Sequence, residues 1–232
     1  MAATSSTSDL LHALNEEAQN LFILLKTIDS FCGTSGKVKL VNSISPEFFV
    51  VVRDALVDAV ILSLSKLTDN QIGRHRSVTL DKIVDEAFPR PKPTETDPVR
   101  DKVAKLKGMC IPICCHRNKR VAHNDEVYAT GIETLPEILA QDFADAARLV
   151  QEIVNDIQRQ SGKEPTDFDD NAHRIKTGGN LLLQKLVWAR RWEQLEDVKY
   201  TDSRLSVSDD EIENTDWTAD PPIRNSLPTS SS

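Results

Sequence analysis

The chain has 232 residues, 39% hydrophobic and 28% charged, a size and balance that fit one substantial globular domain with polar ends. Its formal net charge of −8 disfavours gripping long nucleic acid along a whole face, which calls for a basic surface, but leaves room for a small basic pocket. No uninterrupted apolar run reaches the ~18–20 residues of a membrane span, residues 1–9 carry no apolar signal core, and the four cysteines cluster too closely for a disulfide framework, so free thiols in a reducing cytoplasm are expected.

Residues 1–8 are Ala, Ser and Thr around the initiating Met and are expected to fray. Leu10, Leu14, Ala18, Leu21, Leu25 and Ile28 recur at three- and four-residue steps and predict an amphipathic helix over 9–31, ended by Gly33 and Gly36. Ser45-Pro46-Glu47 opens a second helix with a cap, a first-turn proline and an acid. The stretch from Phe48 to Leu67 is apolar nearly all round, which places that helix at the centre of its domain or against a partner subunit. Thr68-Asp69-Asn70 closes it, and a polar loop with Arg74, His75 and Arg76 follows.

A short helix is expected over 80–87, then a stiff linker at Pro89, Pro91 and Pro93. Asp97-Pro98 starts a third long helix, which Pro112 should kink. Thr134-Leu135-Pro136-Glu137 reads as a capping box opening a fourth helix over 135–161, with Phe143, Ala146, Ala147, Val150, Ile153, Val154 and Ile157 on one face and Gly162 at its end. Residues 163–170 read as an acidic loop. A helical region over 171–198 follows, broken by Gly178-Gly179, with Leu181, Trp188, Trp192 and Leu195 along its stripe. The tryptophans read as packing anchors, although Arg190 and Arg191 beside them leave base stacking open. The tail over 201–232, rich in Ser, Asp and Pro, is expected to be disordered.

The third helix ends in Cys114-Cys115-His116-Arg117-Asn118-Lys119-Arg120-Val121-Ala122-His123-Asn124-Asp125, where cations, imidazoles, an amide and a carboxylate crowd together. Basic residues at a helix C-terminus satisfy the macrodipole, and that alone accounts for Arg117, Lys119 and Arg120. On one straight helix, six steps from Arg117 to His123 leave the two about 120° apart. To share one site they need either a frayed helix or a second copy across a two-fold axis. The cysteines lie in apolar company with Met109, Ile111 and Ile113, which indicates burial rather than a nucleophile. Adjacent Cys114 and Cys115 point different ways, so no metal site is expected.

The run Arg117-Asn118-Lys119-Arg120-Val121-Ala122-His123-Asn124-Asp125 resembles the signature of the HEPN superfamily, an Arg followed by a polar residue and, after four to six residues, a His. The fuller pattern Arg-Asn-Lys-x-x-Ala-His-x-Asp, with Leu64-Ser-Lys-Leu-Thr-Asp69 and Val78-Thr-Leu-Asp-Lys-Ile83 before it, is similar to the abortive-infection AbiU-like branch over about residues 8–160.

The resemblance implies an all-α fold, a four-helix up-and-down bundle over 9–162, which forms a homodimer through its motif face. In active members it implies a metal-independent endoribonuclease that needs no cofactor. Arg117 would hold the scissile phosphate, His123 would serve as general acid and base, and Asn118 would orient the site or bind phosphate. Lys119 and Arg120 would be phosphate contacts, with His116 in support, and Asp125 would orient His123 or cap the turn after it. RNA is the implied substrate, and an antitoxin or another defence-system protein a further partner. The alternative is a catalytically silent HEPN-like dimer that binds proteins or RNA; a plain helical structural protein is a third reading.

Overall fold

A computed structural model describes residues 7–69, 79–88, 97–121 and 130–193, which are mostly helical and contain no strand. The chain is all-α, as expected. Helix α1 (Thr7–Cys32) buries the predicted stripe, with Leu14, Ala18 and Leu21 fully covered. A short helix, α2 (Ser35–Ile44), lies where the glycines suggested only a break. Its start is fixed by Thr34, whose hydroxyl accepts the Lys37 N–H at 3.4 Å, and Leu40 and Val41 anchor it.

Helix α3 (Pro46–Thr68) begins at the expected proline and runs antiparallel to α1: Glu17 pairs with Lys66 near one end, and Phe31 meets Phe49 at the other, ring centroids 5.8 Å apart. Only its C-terminal half is central. Val60, Ile61, Leu64 and Leu67 are buried, whereas Phe48 is 59% and Val51 67% exposed. Helix α4 (Leu80–Ala87), capped by Thr79, seals the core with Leu80, Ile83 and Val84.

The third long helix is split. The Asp97 carboxylate caps α5 (Pro98–Met109) through the Arg100 N–H at 3.1 Å. The helix breaks at Cys110 and resumes as α6 (Ile111–His116), because Pro112 has no N–H to give the Gly108 carbonyl. Over Arg117–Val121 the chain then widens into a π turn.

Helix α7 (Ala140–Gln160) starts later than the expected residue 135, and residues 134–139 are not helical. Pro136 disfavours helical geometry at Leu135, and it is the Asp142 carboxylate that accepts an end N–H, from Leu139 at 2.8 Å. Gly162, at φ 68°, ends α7 as expected. Its N–H reaches the Arg159 carbonyl, and that of Lys163 reaches the Gln158 carbonyl, a left-handed helix stop. The following loop is tied down by buried Gln158, whose amide donates to Thr166 and Asn15 and accepts the Thr166 N–H.

Helix α8 (Phe168–Glu193) differs from expectation twice. It begins inside the predicted acidic loop, because Phe168 inserts into the core and stacks on Phe22 at 5.8 Å. It also runs unbroken through Gly178-Gly179. Gly179 is there for close approach: a Cβ on it would lie 2.4 Å from the Ser30 Cβ of α1. The helical region expected as an extension therefore shares the main core through Phe168 and Ala172, and builds a second cluster from Leu183 and Val187 against Leu40 and Val41. Leu181, predicted on the inner stripe, is 48% exposed, while Trp188 packs on that second cluster. The side chains of Arg190, Arg191 and Trp192, together with residues 1–6 and the tail over 201–232, lie outside the described residues.

Candidate functional site

The motif is built on α6, and α6 is held by its fit to α3. Ile113 and Cys110 are buried between them. The Cys114 thiol sits 3.7 Å from the Ser65 hydroxyl and 4.0 Å from that of Thr68, which itself donates to the Leu64 carbonyl at 2.8 Å. Burial, with Cys114 close by, pushes the Cys110 thiol up to about 12 against an opposing hydrogen bond from Thr68, so it stays protonated and inert at neutral pH. Ile111, one of the apolar neighbours from which burial of the cysteines was inferred, is itself 70% exposed.

From this anchor the π turn carries Arg117, Asn118, Lys119 and Arg120 outward. Arg117 gives Nη1–H to Asp69 Oδ2 at 2.7 Å and Nε–H to Asn118 Oδ1 at 2.9 Å. Asp69 is the residue that stops α3, so the end of one helix grips the first motif residue of the next. Arg120 turns the other way and pairs with Asp58, about three turns further up α3. The two pairs run in opposite sequence order, so α6 and the motif lie antiparallel to α3. His116 points to the segment before α7, and its Nε2–H donates to the Pro136 carbonyl at 2.7 Å, which leaves Nδ1 as the acceptor nitrogen of the neutral ring.

Arg117, Asn118 and Lys119 line one open cleft of about 620 Å3, together with Thr68, Asp69, Lys107, Gly108, Ile111, Cys114 and Cys115. Three cations face one carboxylate there, in a chain whose net charge is −8. An anionic ligand suits that lining.

The family model of AbiU2 matches residues 7–174. The chain belongs to this family, an abortive-infection branch of the HEPN superfamily. No curated protein and no solved structure matches it.

The AbiU2 match covers α1 to the first turns of α8, and so contains the whole motif. In this AbiU2-family chain three of the expected site residues come together at the cleft: Arg117, Asn118 and Lys119. Arg120 and His116 are turned to other partners. His123 and Asp125 lie outside the described residues. The 120° separation derived for Arg117 and His123 presupposes α winding throughout the motif. The observed π turn, which closes i to i+5, removes that premise.

Asp58 and Asp69 were not singled out as site residues. As helix-face and helix-end acids they look ordinary, and only the docking of α6 on α3 turns them towards the arginines. A larger cleft, about 1070 Å3, lies between α1 and α7. It touches none of the motif residues, and Lys26, Lys102, Arg148 and Arg159 are outnumbered there by five acids, so size alone does not mark the site. Among the described residues no three His, Cys, Asp or Glu side chains converge as metal ligands, and no helix is long and apolar enough to cross a membrane.

Proposed function

We propose that this AbiU2-family protein is a metal-independent endoribonuclease of a phage-defence or toxin–antitoxin-like system. Arg117 grips the scissile phosphate and stabilises the charge that develops on it. Asn118 fixes the guanidinium by accepting its Nε–H. The 2′-oxygen of the RNA attacks phosphorus and the 5′-oxygen of the next nucleotide leaves, so a cyclic phosphate forms. Imidazole as a side-chain type gains and loses a proton readily, so His123 supplies the acid–base chemistry: one ring takes the 2′-hydroxyl proton and another gives a proton to the leaving oxygen. The observation that carries this reading is the meeting of Arg117, Asn118 and Lys119 at one open cleft in a member of this family.

A second copy of the chain is part of the reading. Phe48, Val51, Ala55, Asp58 and Leu62 follow one another on a single face of α3, and the first two and Leu62 are exposed apolar residues. Asp58 on that face pairs with Arg120, so the apolar stripe runs up to the motif. A stripe of this kind suits an isologous two-fold contact that brings two motifs together. One His123 then serves as base and its counterpart as acid.

The test is RNA cleavage by the purified protein in EDTA. Arg117→Ala and His123→Ala should each abolish it while the fold is kept; undiminished cleavage by either variant contradicts the assignment. One observation favours a silent interaction module instead: Asp69 and Asp58 already occupy Arg117 and Arg120. A wild-type protein that cuts no RNA would support that alternative.

A further inference from the structure

The cleft continues past the motif. Beyond Arg117 and Asn118 its wall is Gly108, Ile111 and Cys115, with Lys107 at the far side paired to Asp81. Two features of this wall bear on what it could hold. Ile111 is among the most exposed large apolar side chains, at 70%, although it lies next to the buried Cys110. Gly108 is a helical glycine with no φ requirement for glycine, and a Cβ built on it meets nothing within 4 Å. Backbone geometry does not call for a glycine there, and without a side chain the helix backbone is open to the cleft. The cleft's volume lies within the ~300–1,000 Å3 of small-ligand sites, and its lining combines the motif's cations with the apolar side chain of Ile111.

From this we infer that the Gly108–Ile111 wall is a nucleoside subsite: it seats the base and sugar adjoining the phosphate held by Arg117. The inference rests on the ribonuclease reading above and names two residues outside the motif that determine which RNA is accepted. An anion on Arg117 and an apolar, flat-sided group on Ile111 are the two ends of one nucleotide. Gly108 lets the ring approach the helix backbone, where any larger side chain would stand in its place. Lys107 and Lys119 also line the cleft and are the cations at hand for neighbouring phosphates of the strand.

Gly108→Leu and Ile111→Glu test this. Leucine is a better helix former than glycine, and Ile111 contributes little to the core, so both variants should fold, with thermal transitions like that of wild type. Binding of a labelled single-stranded oligoribonucleotide is measured in EDTA for wild type, Gly108→Leu, Ile111→Glu and Arg117→Ala, with a mononucleotide as competitor. The expected result is a loss of tenfold or more in affinity for both wall variants, and for cleavage a raised KM with a smaller change in kcat. Wall variants that bind like wild type while Arg117→Ala does not would overturn the subsite and leave the ribonuclease reading standing. A mononucleotide that competes as well as the oligonucleotide would overturn the assignment to an RNA strand. If wild type binds no RNA, the ribonuclease reading falls and the subsite with it.

Discussion

The two halves of α3 are both rich in apolar residues and have different surroundings. From Val60 to Thr68 the helix packs one side into the core and holds the motif: Leu64 and Leu67 fill the core, Ser65 and Thr68 meet Cys114, and Asp69 beyond them takes Arg117. From Pro46 to Ala59, Phe48, Val50 and Val51 face outward. An apolar run therefore says that a surface will be covered, not by what. In one half the cover is the chain's own core; in the other, in the reading proposed above, it is a second copy.

Substitutions in the two halves should separate accordingly. Leu64→Ala leaves a cavity in the buried half and should cost about 2–5 kcal/mol in a denaturant titration; a loss below ~1 kcal/mol would mean that this half is not the packed anchor described. Val51→Asp in the outer half should change stability by no more than ~0.5 kcal/mol but shift the protein towards monomer in sedimentation at micromolar concentration. An unchanged assembly state would separate the stripe from the dimer. Asp69→Asn at the junction should act on binding more than on stability. The pair with Arg117 is half-exposed, so its removal should cost at most ~1 kcal/mol of stability. It should also free the guanidinium, tightening RNA binding severalfold at low salt and less at high salt. Weaker binding would make Asp69 a support for Arg117 rather than a competitor of the phosphate.

Much of this was legible in the residues. The α1 stripe, the Pro46 start of α3, the Asp97 cap and the Gly162 stop depend on local periodicity and end chemistry, and each formed where expected, although the Ser45 side chain makes no capping hydrogen bond. Most of the misses share a cause. Gly36 and Gly178-Gly179 read as breaks because glycine is a poor helix former, but Gly179 serves the contact with Ser30, a tertiary fact. Phe168 draws α8 into the core, again a matter of packing that sequence spacing does not encode, whereas the late start of α7 is local, set by Pro136 outweighing the capping pattern. At the site, Arg117 and Asn118 stood out by residue type and order. Asp69, Gly108 and Ile111 did not, because an acid, a glycine and an isoleucine acquire a role only when α6 is laid against α3.

The claim at the centre is that Arg117 acts on an RNA phosphate. The most direct measurement incubates wild type and Arg117→Ala with a defined RNA in EDTA and analyses the new 3′ ends by mass spectrometry. The account predicts cyclic phosphate ends from wild type and a loss of at least about a hundredfold in rate for Arg117→Ala, the scale of removing one charge-stabilising donor. Equal rates for the two proteins, or 3′-hydroxyl ends, would contradict it.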